Sequence, residues 1–173
     1  MVKINLNKIS KVQILDSYNF ANESANSSAY KYKQRKQSNI SKIKNDIFIG
    51  KVAEYSVYNY YMSKGFKVTP PDVKIYHAKN KSYDADLKIL DKDYQIHVKS
   101  HFVKSLFPPS WVFQKIDPLV TNPSPKDVVV LCMINSQGEG EAIIEKATSL
   151  PNKYKPLLKQ SLQSKTAIYF KDL

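Results

Sequence analysis

The chain has 173 residues, and its 27 lysine and arginine residues against 15 aspartate and glutamate residues give a formal net charge of +12 at pH 7. This length fits one domain, or one domain with an extension, and needs no disulfide framework to hold a core. No stretch approaches the ~18 consecutive apolar residues of a membrane span. The first residues, MVKINLNKISKVQ, lack the apolar segment of a secretory signal. We therefore expect a soluble, intracellular protein.

The positive charge predicts a polyanionic partner. Nucleic acid is the natural candidate, and an anionic membrane surface or an acidic protein is the alternative; charge alone does not choose between them. Nearly all of the positive residues are lysines, since Arg35 is the only arginine. Lysine offers point charges to phosphates, whereas bidentate recognition of guanine depends on arginine. Contacts to phosphates are thus expected to outnumber arginine contacts to bases.

Composition divides the chain near residue 37. Residues 1–37 are polar and form a predicted N-terminal basic extension, and residues 38–173 form the predicted domain. Within the extension, the basic run from Lys31 to Lys36 is either a solvated surface or an arm that contacts DNA.

A helix is predicted from Ser38 or Asn39 to Gly65, because apolar residues recur there at helical spacing. These residues are Ile40, Ile43, Ile47, Tyr58 and Tyr61. At about 100° per residue, Glu54 falls within about 40° of all five, in the middle of the inward stripe. A carboxylate there is costly unless a charged or hydrogen-bonding group meets it. Glu54 is therefore a glutamate at a groove edge, a hydrogen-bonded core residue or a functional residue.

A β-hairpin is predicted next, from Asp84–Leu90 through the acidic turn Asp91–Asp93 to Tyr94–His101, since both flanking segments alternate apolar and polar residues. The polar face of its second strand carries Gln95, His97, Lys99 and His101. The polar side of its first strand carries Asp84, Asp86 and Lys88.

The apolar faces of the two strands can pack against the same core only if the numbers of residues paired across the strands add up to an odd value. A two-residue turn satisfies this condition and sets Asp86 opposite His97 or Lys99. Cross-strand neighbours lie roughly 5 Å apart, close enough to share a metal ion. If the helix packs on this sheet by its stripe, Glu54 points toward the same place.

This set of side chains suits the hydrolysis of phosphodiesters. A divalent cation held by carboxylates supplies the attacking hydroxide and neutralises charge that develops on the phosphate. Mg²⁺ prefers oxygen ligands and is commonly held by one or two protein carboxylates. A nearby lysine can orient the attacking water and stabilise the phosphate.

The order of Glu54 on a helix, Asp86 on a strand and His97-Val98-Lys99 on the next strand resembles the PD-(D/E)xK nucleases. The run VKSHFVKSLFPPSWVFQK resembles the corresponding stretch of restriction-type members, and the resemblance covers about residues 45–135. It implies an α/β fold, with a mixed central β-sheet flanked by helices in a restriction-endonuclease-like core.

The resemblance also implies roles for particular residues. Glu54, Asp86, His97 and Lys99 are the expected catalytic residues, and Asp86, His97, Glu54 and Asp84 are the expected metal ligands. The expected cofactor is Mg²⁺, with Mn²⁺ as a further possibility. The expected activity is site-specific cleavage of double-stranded DNA, of the restriction or homing type, by a homodimer or higher homo-oligomer. Such a protein belongs in the cytoplasm of a bacterial or phage-infected cell.

One residue departs from the pattern, because His97 stands where the family has Asp or Glu. A neutral imidazole nitrogen favours Mn²⁺ and softer ions more than an acid does. Alternatively, His97 marks an inactive nuclease fold that binds DNA. The sequence is also compatible with a structure-specific nuclease, such as a Holliday-junction resolvase, and with an RNA-associated basic protein. The residues expected to contact nucleic acid are Lys31, Lys33, Arg35, Lys36, Lys79, Lys81, His101 and Lys104.

Further elements are predicted toward the C-terminus. The apolar run Val128–Ile134 is typical of a central buried strand and makes Cys132 a buried, unreactive residue. A strand at Glu141–Glu145, a helix over Pro151–Gln163 and an edge strand at Thr166–Phe170 follow.

Overall fold

The computed structural model describes residues 1–27, 39–75, 83–157 and 164–173, and a five-stranded mixed sheet lies at its centre. The strand order is β1-β6-β5-β3-β2. The strands are β1 (Val2–Leu6), β2 (Leu87–Ile89), β3 (Tyr94–Phe102), β5 (Asp127–Ile134) and β6 (Gly140–Lys146). Strands β3 and β5 are parallel, and the other neighbouring pairs are antiparallel. The protein is thus of the mixed α/β class.

Strand β5 is the middle strand, as its continuous apolar sequence predicts. Val129, Val130, Leu131 and Cys132 are all fully buried, because both faces of the strand are covered. The predicted burial of Cys132 is confirmed.

Two helices cover one face of the sheet. Helix α1 (Lys11–Ser27) packs on α2 (Ile40–Ser63), and α2 packs on β3. The core between them includes Val52 and Val57 of α2 and Ile96 and Val130 of the sheet. No helix in the described part of the chain is long and apolar enough to cross a membrane.

A small second sheet covers the opposite face. It has the order β4-β8-β7, with β4 (Ser110–Gln114), β7 (Lys155–Pro156) and β8 (Lys165–Tyr169). Together with the short helix α3 (Pro118–Thr121), it forms a core around Trp111, Phe113 and Leu131. Helices therefore flank the central sheet mainly on one face.

The ends of α2 follow ordinary capping rules, as the sequence predicts. The Asn39 side chain accepts a hydrogen bond from Lys42 N at 2.9 Å, and Gly65 follows the helix with φ of 80°. Helix α1 begins with a capping box, in which Ser10 and Gln13 exchange side chain to backbone hydrogen bonds.

The first 27 residues are part of the fold, although composition suggests an extension up to residue 37. Strand β1 pairs with β6, and Ile4 and Leu6 are buried. Helix α1 continues through the polar stretch after Ala21 because Ala21 and Ala25 are buried.

The C-terminal segment differs from its prediction. Within the described part of Pro151–Gln163, a 3₁₀ turn at Pro151–Lys153 and strand β7 replace the expected helix. Pro156 lacks the backbone N–H that a helix interior requires. Strand β8 lies between β4 and β7, so it is the middle of the small sheet and not an edge.

The two glycines Gly50 and Gly138 allow a matched test of the fold. A Cβ on Gly50, inside α2, meets nothing within 4 Å. Gly50→Ala is expected to raise the free energy of unfolding by about 0.5–1 kcal/mol, because alanine loses less entropy in a helix. Gly138 has φ of +85°, and its Cβ would lie 2.3 Å from Ser56 Oγ. Gly138→Ala is expected to cost at least about 1 kcal/mol in urea unfolding. Equal effects of the two changes would contradict this packing.

Candidate active site

Glu54 lies on the face of α2 that packs against the sheet, and its side chain is 14% exposed. Lys51 is one turn earlier, with its side chain 7% exposed and its Nζ 2.5 Å from Glu54 Oε2. Lys51 Nζ also donates to the backbone carbonyl of Asp72 at 2.7 Å. The charged partner that a carboxylate needs in this position is therefore supplied by the same helix.

The spacing of α2 explains why the two residues meet. Ile47, Lys51, Glu54, Tyr58 and Tyr61 are separated alternately by four and three positions, which places them along one stripe of a helix. Sequence reasoning from the apolar positions alone finds Glu54 in this stripe and misses Lys51. The same spacing, applied to charged residues, would have found both.

Asp86 stands just before β2, beside the edge of β3. The hairpin register pairs Leu87 with Ile96 and Ile89 with Tyr94, which confirms the odd-sum register that alternation predicts. The loop that connects β2 to β3 has four residues, which lie between Ile89 and Tyr94 of the last pair. Asp86 Oδ2 accepts a hydrogen bond from Val98 N at 2.7 Å. Because a backbone N–H points along the plane of its sheet, the carboxylate lies at the sheet edge.

The charge of Asp86 acts on two groups on the helix side of the sheet. Burial raises the pKa of Glu54 to about 8; Lys51 lowers it, and the charges of Asp86 and Asp72 raise it again. Burial also raises the pKa of the Cys132 thiol, and the charge of Asp86 adds to that shift. Cys132 belongs to the core under the helices.

His97 and Lys99 project from the other face of the sheet. In the parallel register they pair with Val129 and Leu131, which contribute to the core under the small sheet. His97 is 7% exposed, and its Nε2 lies 3.5 Å from Asp127 Oδ1. Lys99 Nζ lies 5.3 Å from the ring centroid of Phe113. The four expected catalytic residues therefore do not share one face, since Glu54 belongs to the helix layer and His97 and Lys99 project toward the small sheet.

The remaining expected site residues are dispersed. Asp84 is exposed on the segment before β2, and Lys104 is exposed after β3. His101 is half-buried with Nδ1 3.2 Å from the Ser110 carbonyl oxygen, and burial lowers its pKa. Lys31, Lys33, Arg35, Lys36, Lys79 and Lys81 lie outside the described residues.

Across residues 1–27, 39–75, 83–157 and 164–173, no group of three or more His, Cys, Asp or Glu residues is arranged to hold a metal ion. Mg²⁺ often keeps several waters and is bound through one or two carboxylates, so single carboxyl groups such as Glu54 and Asp86 are the type of ligand that it uses. Lys51 already supplies a positive charge at 2.5 Å from Glu54 Oε2, and a divalent cation at this carboxyl group would have to compete with that ammonium.

Comparison of the chain with protein-family models, curated proteins and solved structures gives no match.

The raised pKa of Glu54 predicts a pH-dependent stability. Unfolded, this carboxyl group titrates near its ordinary value of 4.5; folded, it titrates near 8. The folded state holds the proton more tightly, so the stability that Glu54 contributes is complete below pH 4.5 and is lost as pH rises toward 8. Glu54→Gln removes this loss.

The measurement is urea unfolding of both proteins between pH 5 and pH 9. As pH rises, we expect the unfolding free energy of the wild type to fall relative to that of Glu54→Gln, by at most about 1.4 kcal/mol per pH unit. This relative fall should level off above pH 8. A difference that stays constant across this range would show that Glu54 does not titrate differently on folding.

Proposed function

We propose that this protein is a metal-dependent endonuclease that hydrolyses duplex DNA and has a restriction-endonuclease-like core. The observation that supports this proposal is that a long helix carries the buried Glu54 and the following hairpin holds Asp86 at its edge, where the charge of Asp86 raises the pKa of Glu54. These are the first two elements, in the same order, of the nuclease pattern that the sequence resembles. The observed mixed sheet is compatible with such a core.

Glu54 and Asp86 are the proposed ligands of Mg²⁺, with Mn²⁺ as the alternative ion. When bound, this ion would supply the attacking hydroxide and neutralise charge on the phosphate. The Val98 amide holds Asp86 in place through a 2.7 Å hydrogen bond. His97 is not given a ligand role in this proposal, because its Nε2 faces Asp127. Asp84, two residues before Asp86, is the proposed additional acid.

Lys99 is the proposed residue that assists the attacking water. In the structure its side chain leaves the face opposite to Glu54, so this role requires the side chain to turn around the edge of β3 toward Asp86. Its Nζ is 5.3 Å from the centre of the Phe113 ring. A lysine side chain is long and flexible, and such a contact holds the ammonium without neutralising it.

DNA is the proposed partner because of the net charge of +12. Lysines contact phosphates without reading bases, so binding is expected to weaken steeply as salt rises. Cleavage of both strands with one site per chain suggests a homodimer or higher oligomer, by analogy with the family.

The test is cleavage of a long mixed-sequence duplex in Mg²⁺ or Mn²⁺ by wild type, Asp86→Asn, Glu54→Gln and Lys99→Ala. Asp46→Asn is the matched control, because Asp46 is a surface carboxylate of the same helix paired with Lys42. We expect discrete fragments from wild type and the control. The Asp86 and Glu54 variants should lose more activity than the roughly 10–100-fold that removal of a supporting residue costs.

Each contrary result has a definite meaning. Full activity in Asp86→Asn would show that Asp86 does not take part in cleavage. Cutting of four-way junctions, but not of linear duplex, would indicate a structure-specific nuclease. DNA binding that survives EDTA without any cleavage would indicate an inactive nuclease fold used for binding, the outcome that His97 favours.

A further inference from the structure

A groove that is open to solvent lies beside the small sheet. Its volume is about 470 Å³, which falls within the usual range of small-ligand sites. Its lining includes Pro108 and Pro109 before β4, Pro156 of β7, and Phe170 directly after β8. Because the small sheet covers the face of the central sheet opposite to α2, this groove is separate from Glu54.

Contacts within the chain hold the walls of the groove in place. Phe170 N donates a hydrogen bond to the Pro109 carbonyl oxygen at 3.0 Å. The Tyr169 hydroxyl, also in the lining, donates to the Pro156 carbonyl oxygen at 3.3 Å. The Phe170 ring is partly buried beside Trp111, with ring centroids 6.3 Å apart and planes at 53°. The groove is therefore formed before a ligand binds, which lowers the entropy cost of binding.

The charged residues of the lining are two lysines and one aspartate. Lys155 and Lys171 are exposed. In the ranges that the structure describes, neither of them forms an ion pair with a carboxylate. Asp172 also lines the groove and opposes an anionic ligand with one negative charge against two positive ones. The groove thus combines an apolar, aromatic surface with a surplus of positive charge.

Exposed apolar residues continue this surface along the chain. Phe107 directly precedes Pro108 and is 61% exposed, and Leu106 is fully exposed. Lys104, two residues earlier, is also exposed. Neighbouring apolar side chains of this size, left in water beside an apolar groove, are typical of a binding surface.

We propose that this groove binds single-stranded nucleic acid. An unpaired base presents a flat face that stacks on an aromatic ring, here Phe170, while Lys155 and Lys171 meet phosphates. Proteins that bind single strands combine the same two features, aromatic side chains and a positively charged groove. An apolar peptide would leave both lysines unused, and duplex DNA keeps its bases stacked on one another and out of reach. The inference goes beyond the proposed cleavage of duplex DNA and does not rest on it.

The test is binding of the full chain to a labelled oligothymidine of about 12 nucleotides, measured by fluorescence anisotropy in EDTA over a range of salt concentrations. An abasic strand of the same length is the comparison ligand, because it keeps the phosphates and lacks the bases. Phe170→Leu keeps an apolar side chain and removes the aromatic ring. We expect this variant to bind oligothymidine about 5–100-fold more weakly than wild type does, and to bind the abasic strand equally well.

The lysines have a different signature, because each phosphate contact to a single strand contributes about 0.7 to the slope of log affinity against log salt. Lys155→Gln combined with Lys171→Gln is expected to reduce this slope by about 1.4 with both strands. Asp172→Asn should strengthen binding to both strands. The matched control is Lys11→Gln combined with Lys88→Gln, which removes the same charge from exposed positions of α1 and β2 and should keep the wild-type slope.

Circular dichroism checks that each variant folds. If Phe170→Leu does not fold, the variants of Lys155, Lys171 and Asp172 decide, because those side chains are exposed. In a folded Phe170→Leu, wild-type affinity for oligothymidine, or an equal loss with the abasic strand, would overturn the proposal. An equal change of slope in the control pair would show that binding follows the overall charge and not this groove.

Two further outcomes separate this inference from its alternatives. Binding to vesicles of phosphatidylserine and phosphatidylcholine, without binding to oligothymidine, would overturn the proposal in favour of a membrane surface. Binding of oligothymidine that depends on Phe170, in a protein that cuts no duplex DNA, would support the inference and refute the endonuclease.

Discussion

Strands β3 and β5 run parallel from the Gln95–Asp127 pair to the Phe102–Ile134 pair, and two parallel neighbours need a crossover connection. That connection carries β4 and α3, which lie over the face of the sheet away from the long helices. Both faces of β5 are consequently covered, which suits the continuous apolar run Val128–Ile134 that follows Asp127. The two cores, the placement of the helices and the position of the hairpin all follow from this one pairing.

The two-faced burial also decides how polar residues on β3 are arranged. Alternation sends Val98 toward the helices and His97 and Lys99 toward the small sheet. His97 then meets Asp127 at the start of β5, and Lys99 meets Phe113 of β4 in the crossover. The charged pair of α2, Lys51 and Glu54, lies on the helix side of the sheet. Asp86, which bonds to the Val98 amide at the sheet edge, belongs to neither of these two sets of side chains.

Much of this arrangement could be predicted from local patterns. The inward position of Glu54, the hairpin register and the burial of β5 depend on periodicity, and all three are observed. The expected common face of Glu54, Asp86, His97 and Lys99 is not observed, because α2 packs on the apolar side of β3, which carries Ile96 and Val98. Asp86 precedes β2, which begins at Leu87, and so does not follow its alternation.

The composition of the N-terminal residues makes them look like an extension, although residues 1–27 belong to the fold. Their composition is polar, and the apolar residues with which they pack are few, namely Ile4, Leu6, Ile9, Ile14, Ala21 and Ala25. Edge elements of this kind bury few side chains, so composition is a weak guide to them. Tertiary contacts with β6 and α2 supply what the local sequence lacks.

The hydrogen bond between Asp86 and Val98 has a consequence for association between molecules. Strand β2 covers only the first three residues of β3, and the exposed edge of a longer strand is a template on which another chain can extend a sheet. A carboxylate accepts hydrogen bonds but donates none when ionised, so at Val98 it occupies the donor without offering a ladder to continue. The same acidic side chain thus leaves an added strand no free donor at Val98.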